Sequence, residues 1–85
     1  MQKLEFLSLK FEDKAEFLSK HAELISQMVY YECNVSLFLT DHYFVEVFFN
    51  REQKQLVSIE IQENAQILYA YVKDLDIREL MKLLQ

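Results

Sequence analysis

Residues 34–50 read NVSLFLTDHYFVEVFFN. Apolar side chains occupy every second position both before and after the polar pair Asp41 and His42. This period of two residues is typical of β-strands that bury one face. The stretch therefore predicts two strands, at residues 34–40 and 43–50, which pair antiparallel across a short link.

The length of that link decides which side chains share a face of the sheet. Residues that lie directly opposite each other on antiparallel strands point to the same side. If Leu37 and Leu39 share the core with the valines of the next strand, the link must contain an odd number of residues or a bulge. A two-residue turn would instead bring Glu46 into the core. The sequence therefore predicts the odd link or the bulge.

Two more strands are predicted after this hairpin, at residues 56–62 and 67–72. The first has the same alternation of apolar and polar side chains, and the face argument predicts a three-residue loop before it, at residues 52–54. A residue other than glycine must then adopt any left-handed conformation, because the chain has no glycine. The connections are too short for crossovers, so sequential strands should be neighbours in a meander.

An apolar stripe with helical spacing precedes the sheet. It consists of Phe11, Ala15, Leu18, Ala22, Ile25 and Val29. Alternating steps of four and three residues predict an amphipathic helix over residues 11–29. Asp13 and Glu16 have the form of a capping box. Apolar residues nearer the N-terminus project onto the same face, so a start near Gln2 and a start near Asp13 are both compatible with the pattern.

The chain ends in a second predicted helix, at residues 75–84, where Asp76 and Glu79 repeat the capping box. The predicted fold class is α+β. An N-terminal amphipathic helix packs on a four-stranded antiparallel meander sheet, and a short C-terminal helix follows. At 85 residues, the chain is expected to form a single domain over residues 1–85.

The second face of the predicted sheet carries apolar side chains where a face exposed to water would be polar. The residues expected there are Phe38, Phe44, Phe48 and Leu56. An apolar patch of this kind on a small protein is typical of an interface, so these residues are predicted to pack against a second copy in a homodimer. The alternative is that the C-terminal helix covers them through Leu80, Leu83 and Leu84.

Composition limits the function. The net charge of −5 and the scattered basic residues argue against nucleic-acid binding, and no apolar run is long enough for a membrane span. Cys33 is the only cysteine, so an internal disulfide is excluded and a cytoplasmic location is expected. Without glycine, phosphate-binding loops and nucleophile elbows are absent. We expect no cofactor, metal site or catalytic residue, and no membrane or nucleic-acid partner.

The sequence therefore predicts a non-enzymatic protein–protein interaction module. A basic protein is a possible second partner, because the predicted first helix has an acidic side and acidic surfaces speed association with basic ones. The alternative function is a small-ligand binding protein or enzyme with a tyrosine-lined pocket near His21. Tyr30 and Tyr31 would line this pocket, because each tyrosine combines an apolar ring with a polar end.

Overall fold

The structure, a computed structural model, describes residues 1–73 of the chain. Its elements are α1 (Lys3–Leu7), α2 (Phe11–His21), β1 (Glu23–Tyr30), β2 (Cys33–Thr40), β3 (Tyr43–Asn50), β4 (Gln55–Gln62) and α3 (Ala65–Val72). The strands form one antiparallel sheet in the order β1-β2-β3-β4. The predicted α+β class and the order of helix, meander sheet and short C-terminal helix are confirmed. The helix predicted at residues 75–84 lies outside the described residues.

The first strand occupies residues that the sequence pattern assigned to a helix. The long helix predicted over residues 11–29 ends at His21, and Glu23–Tyr30 is β1. A bulge at Ile25 interrupts the pairing of β1 with β2, which shifts the alternation of side chains by one residue. Apolar residues at positions 24, 25, 28 and 29 then have helical spacing although they lie on a strand. The helix prediction was wrong here for that reason.

The predicted fourth strand, residues 67–72, is instead part of helix α3. Asn64 caps this helix, because its side-chain oxygen accepts hydrogen bonds from the backbone N–H groups of Gln66, at 2.9 Å, and Ile67, at 3.2 Å. Leu68, Tyr71 and Val72 pack from one side of α3 onto the sheet. Steps of three and four residues along this set are helical, so the strand prediction was wrong.

The N-terminal helical segment is in two parts. The predicted start near Gln2 is confirmed, because Gln2 is the N-cap of α1, and the second part begins two residues before the alternative start at Asp13. α1 ends at Leu7, and α2 begins at Phe11. Between them the Ser8 hydroxyl donates to the backbone oxygen of Glu5, at 2.6 Å, and Leu9 packs against the core. A continuous helix would direct Leu9 away from the apolar stripe, so the break lets the chain bury it.

Both central loops differ from the predicted lengths. Thr40 pairs directly with Tyr43, so the first link is a two-residue turn. The second loop holds four residues, since Asn50 pairs with Gln55, and β4 then has a bulge at Val57. The rule that excluded a two-residue turn assumed one apolar face, whereas both faces of this sheet are covered by helices.

Those helices divide the core into two layers. On the α2 face of the sheet, Val45, Val47 and Ile59 pack with Phe6 and Leu18. The opposite side, the α3 face, is centred on another set of buried residues: Val35, Leu37 and Tyr71. A helical layer on each side of one sheet explains why β3 carries apolar side chains on both of its faces.

Arg51 links two loops that lie at the same end of the sheet. Its guanidinium donates to Asn34 Oδ1, at 3.0 Å, and to the backbone oxygen of Tyr31. The Arg51 backbone N–H also donates to the backbone oxygen of Glu32, at 2.9 Å. These contacts join the β3–β4 loop to the β1–β2 turn, so they fix the position of β1 at the edge of the sheet.

Candidate functional site

Glu46 is the charged residue at the centre of the α3 face. The two-residue turn pairs it with Leu37, and its side chain is only 7% exposed. Glu46 Oε1 accepts a hydrogen bond from Gln62 Nε2, at 2.6 Å, and Oε2 accepts one from the Tyr71 hydroxyl, at 2.5 Å. The argument from the length of the first link predicted Glu46 outside the core. Glu46 is instead buried and accepts hydrogen bonds from two uncharged groups.

Tyr71 is linked electrostatically to this carboxylate. Burial raises the pKa of the Tyr71 hydroxyl well above its ordinary value, and both the hydrogen bond to Glu46 and the negative charge of Glu46 raise it further. The hydroxyl therefore remains a proton donor to Glu46 throughout the neutral range.

A cavity of about 380 Å³ lies beside this cluster, between α3 and the sheet. We call it the Glu46 cavity. Its walls are largely apolar and come from Met28, Val35, Phe48 and Ile67, and Tyr30 also lines it. Polar groups of Glu46, Glu60, Gln62 and Tyr71 line the same space. An apolar pocket with a few convergent polar groups is the usual form of a small-molecule site.

The second feature is the outer edge of β1. No other strand of the described chain pairs with this side of β1. Residues 24–30, which we call the β1 edge, include no charged side chain and no proline. Val29 is 69% exposed and Leu24 is 50% exposed. Free backbone groups beside exposed apolar side chains can pair with another strand.

The residues predicted to line a ligand pocket, His21, Tyr30 and Tyr31, do not come together in the structure. His21 is the last residue of α2; it is exposed and its ring lies 5.1 Å from that of Phe17. Tyr30 and Tyr31 contact each other edge to face, with ring centres 4.7 Å apart, at the opposite end of β1. Eight extended residues separate the two places, a distance of about 25 Å. Of the three residues, Tyr30 lines the Glu46 cavity.

The predicted aromatic interface is divided between the two faces. Phe44 and Phe48 pack on the α3 face, whereas Phe38 packs with the core of the α2 face. Leu56 pairs with Phe49 and lines, with Phe38, a groove of about 250 Å³ beside α2. The expectation of one shared face was therefore wrong, because it depended on an odd number of residues in the first loop.

Two further findings concern the described residues alone. Among residues 1–73, no group of three or more histidine, cysteine, aspartate or glutamate side chains has a geometry that could hold a metal ion. In the same part of the chain, none of the helices has the length and apolar character that a membrane crossing requires. Cys33 is half-buried and packs against the core of the α3 face.

Comparison with protein-family models, with curated proteins and with solved structures finds no match to this chain. The candidate sites are therefore defined by geometry and chemistry alone.

Sequence reasoning missed both features for related reasons. The β1 edge was hidden because residues 23–30 were assigned to a helix. Glu46 was treated as a solvent-facing residue, although Phe44 and Phe48 stand two positions away on either side. In a strand, residues two positions apart share a face, so a glutamate flanked in this way is a candidate for burial.

Proposed function

We propose that the protein is a non-enzymatic interaction module that forms a homodimer through the β1 edge. The observation that carries the proposal is an edge strand whose residues 24–30 have no charge and no proline. Natural proteins usually protect such edges with lysine, proline or a covering element. Among residues 1–73 no strand pairs with this edge, so it is best explained as a surface that pairs with a strand of another copy.

The two edges of the sheet are not equivalent, which supports a role for β1. The other edge strand, β4, carries Glu60 and has a bulge at Val57. Charge and bulges both discourage strand addition. The bulge of β1 lies near its start, at Ile25, and leaves residues 26–30 in regular pairing geometry. Strand addition is thus favoured at one edge.

A second copy is the partner that fits this edge best. Antiparallel pairing of two identical strands is symmetric, so each copy presents the same residues to the other. Leu24 and Val29 lie on the α2 face of β1, as their pairing with Phe38 and Asn34 requires. In the dimer, exposed apolar side chains of β1 would contact the partner strand and lose exposure to water. The chain carries a net charge of −5, but residues 24–30 are uncharged. Pairing these residues between two copies therefore brings no like charges together.

The proposed dimer has a continuous eight-stranded sheet with helices on both sides. Its location is proposed to be the cytoplasm, which agrees with an acidic chain that has a single cysteine. The aromatic residues Phe44 and Phe48 belong to the core of each copy in this arrangement. The contact surface is formed by the backbone of β1 and by its exposed apolar side chains.

The test is the mass in solution of the full chain and of Val29→Lys, measured by light scattering over a dilution series. We expect twice the chain mass of 10.3 kDa for the wild type at micromolar concentration. Val29→Lys should raise the dimer dissociation constant by about tenfold or more, because it places two like charges at one symmetric interface.

Val57→Lys is the matched control. Val57 is also a valine on an edge strand, and it is 45% exposed. It should leave the dimer intact, and far-UV circular dichroism should show that both variants are folded. A wild type that is monomeric at high micromolar concentration, or equal dissociation by both lysine variants, would contradict the proposal.

A further inference from the structure

We propose that the Glu46 cavity binds a small organic cation, an amine whose ammonium group lies beside Glu46 and Glu60 and whose apolar part lies against the cavity wall. This site shares Met28 and Tyr30 with the β1 edge, but the carboxylates that would hold the amine lie outside that edge, and the cavity is lined by side chains of one copy. The proposal therefore stands or fails independently of the dimer.

The buried negative charge is the first argument. Glu46 is 7% exposed, and both groups that donate to it, from Gln62 and Tyr71, are uncharged. Buried carboxylates are usually matched by a positive charge, because removal from water destabilises the ionised form. Among residues 1–73, none of those that line the cavity is lysine, arginine or histidine. The ion pairs of residues 1–73 all lie elsewhere.

A second carboxylate lies directly across from the first. Glu60 of β4 is the pairing partner of Glu46, so the two side chains share the α3 face with backbones about 5 Å apart. Like charges at opposed positions destabilise a sheet. A cation beside both groups would reverse that effect, because each carboxylate would then face an opposite charge.

The remaining cavity indicates an organic cation instead of a metal ion. Met28, Val35, Phe48 and Ile67 supply apolar surface that a bare ion would leave unused. Calcium and magnesium take six or more oxygen ligands, and within residues 1–73 no three histidine, cysteine, aspartate or glutamate side chains are grouped so that they could hold a metal ion. A volume of about 380 Å³ falls in the range of small-molecule pockets.

Phenethylamine is the probe for this site, because it joins one ammonium group to one apolar ring. It would be titrated to about 10 mM, the range in which fragments of this size bind, into isotope-labelled full-length protein. Amide chemical shifts would be followed by NMR. We expect saturable shifts centred on Phe48, Glu60 and Ile67. Phenethyl alcohol, which has the same shape without the charge, should bind about fivefold more weakly.

Glu60→Gln is the variant that tests the charge. Glu60 is exposed, so its replacement should leave the fold intact, and binding of the probe should weaken about fivefold. Glu52→Gln makes the same change of charge in a loop outside the cavity and should bind as the wild type does. The proposal is overturned if the alcohol binds as tightly as the amine, if both variants bind alike, or if no saturable shift occurs.

The chain's own basic residues provide a further control. Arg78 and Lys82 lie beyond the described residues, and a double change to glutamine tests whether they compete for the same carboxylates. Unchanged probe affinity supports an external ligand. A tenfold gain in affinity would overturn it, since the chain itself would then supply the cation.

Discussion

Glu46 shows how one side chain can be stabilised against the usual preference of carboxylates for water. An unpaired polar group in a protein interior destabilises the fold by about 1–3 kcal/mol. Both oxygens of Glu46 accept a hydrogen bond, from Gln62 and Tyr71. Within residues 1–73 the Tyr71 hydroxyl makes no other hydrogen bond. Its contribution to stability can therefore be measured by removing it.

Tyr71→Phe is expected to lower the free energy of unfolding by about 1–3 kcal/mol near neutral pH, because one Glu46 oxygen loses its donor. At alkaline pH, the free energy of unfolding of this variant should decrease less than that of the wild type. The Tyr71 pKa is raised in the folded protein, so the unfolded chain releases this proton first. The contribution is complete below about pH 10 and is lost as the pH rises above that value.

Urea unfolding at about pH 7 and about pH 11 measures both effects. Tyr69→Phe is the control, since Tyr69 is exposed on the same helix. Some alkaline loss should persist in Tyr71→Phe because burial also raises the Tyr43 pKa. If the two phenylalanine variants had equal pH profiles, the assigned role of Tyr71 would be incorrect.

At the scale of elements, the three hairpin loops are built without glycine. Tyr31, Asp41 and Lys54 adopt left-handed backbone conformations, with φ angles of 53°, 40° and 55°. For a residue with a Cβ atom this conformation is unfavourable by about 1–2 kcal/mol. Each loop therefore contains local strain that the pairing of its strands must offset.

Lys54→Gly is expected to increase the free energy of unfolding by up to about 1 kcal/mol. The relief of strain exceeds the extra chain entropy that glycine gives the unfolded state, about 0.4–1 kcal/mol. Glu52→Gly, in the same loop at a residue without positive φ, should lower stability, because only the entropy changes there. Urea unfolding compares the two; a loss of equal size in both would show that Lys54 is unstrained.

The elements also show where local patterns mislead. β1 has helical spacing because a bulge at Ile25 shifts its alternation. The segment at residues 67–72 is apolar at every position, as a buried strand can be, yet Asn64 caps it as a helix. Each segment alone is compatible with either structure. Once β1 occupies the edge next to β2, a fourth strand is already present and α3 can cover the sheet.

At the scale of the whole molecule, one sheet packs against helices on both of its faces. Phe6, which is 0% exposed, packs α1 against this sheet. Its ring lies 5.9 Å from the rings of Phe17 and of Tyr43. Neither layer can form its core without the sheet, so we expect the domain to unfold as one cooperative unit.

Phe6→Ala should lower the free energy of unfolding by about 3–5 kcal/mol, because it leaves a cavity between α1 and the sheet. Tyrosine fluorescence and far-UV circular dichroism, followed in urea, should give the same midpoint. Leu4→Ala changes an exposed residue of the same helix and should have an effect within about 0.5 kcal/mol. Separate midpoints for the two probes would show that the layers unfold independently.

The sequence by itself determined the fold class and its most regular part. The alternation in residues 34–50 predicted the strand at residues 43–50 and most of the strand before it. Both strands are confirmed. Short polar links predicted sequential neighbours, and the meander order is confirmed. These properties are local, because strand period and loop length are set within a few residues.

Only the tertiary structure decided which face each side chain occupies. Because helices cover both sides of the sheet, an apolar side chain is stabilised on either face. The alternation of apolar residues therefore could not distinguish a link with an odd number of residues from a two-residue turn. The turn at Asp41 and His42 contains two residues, and this length places Glu46 on the α3 face beside Tyr71. The cavity and the free edge of β1 follow from packing between distant segments, which no local period specifies.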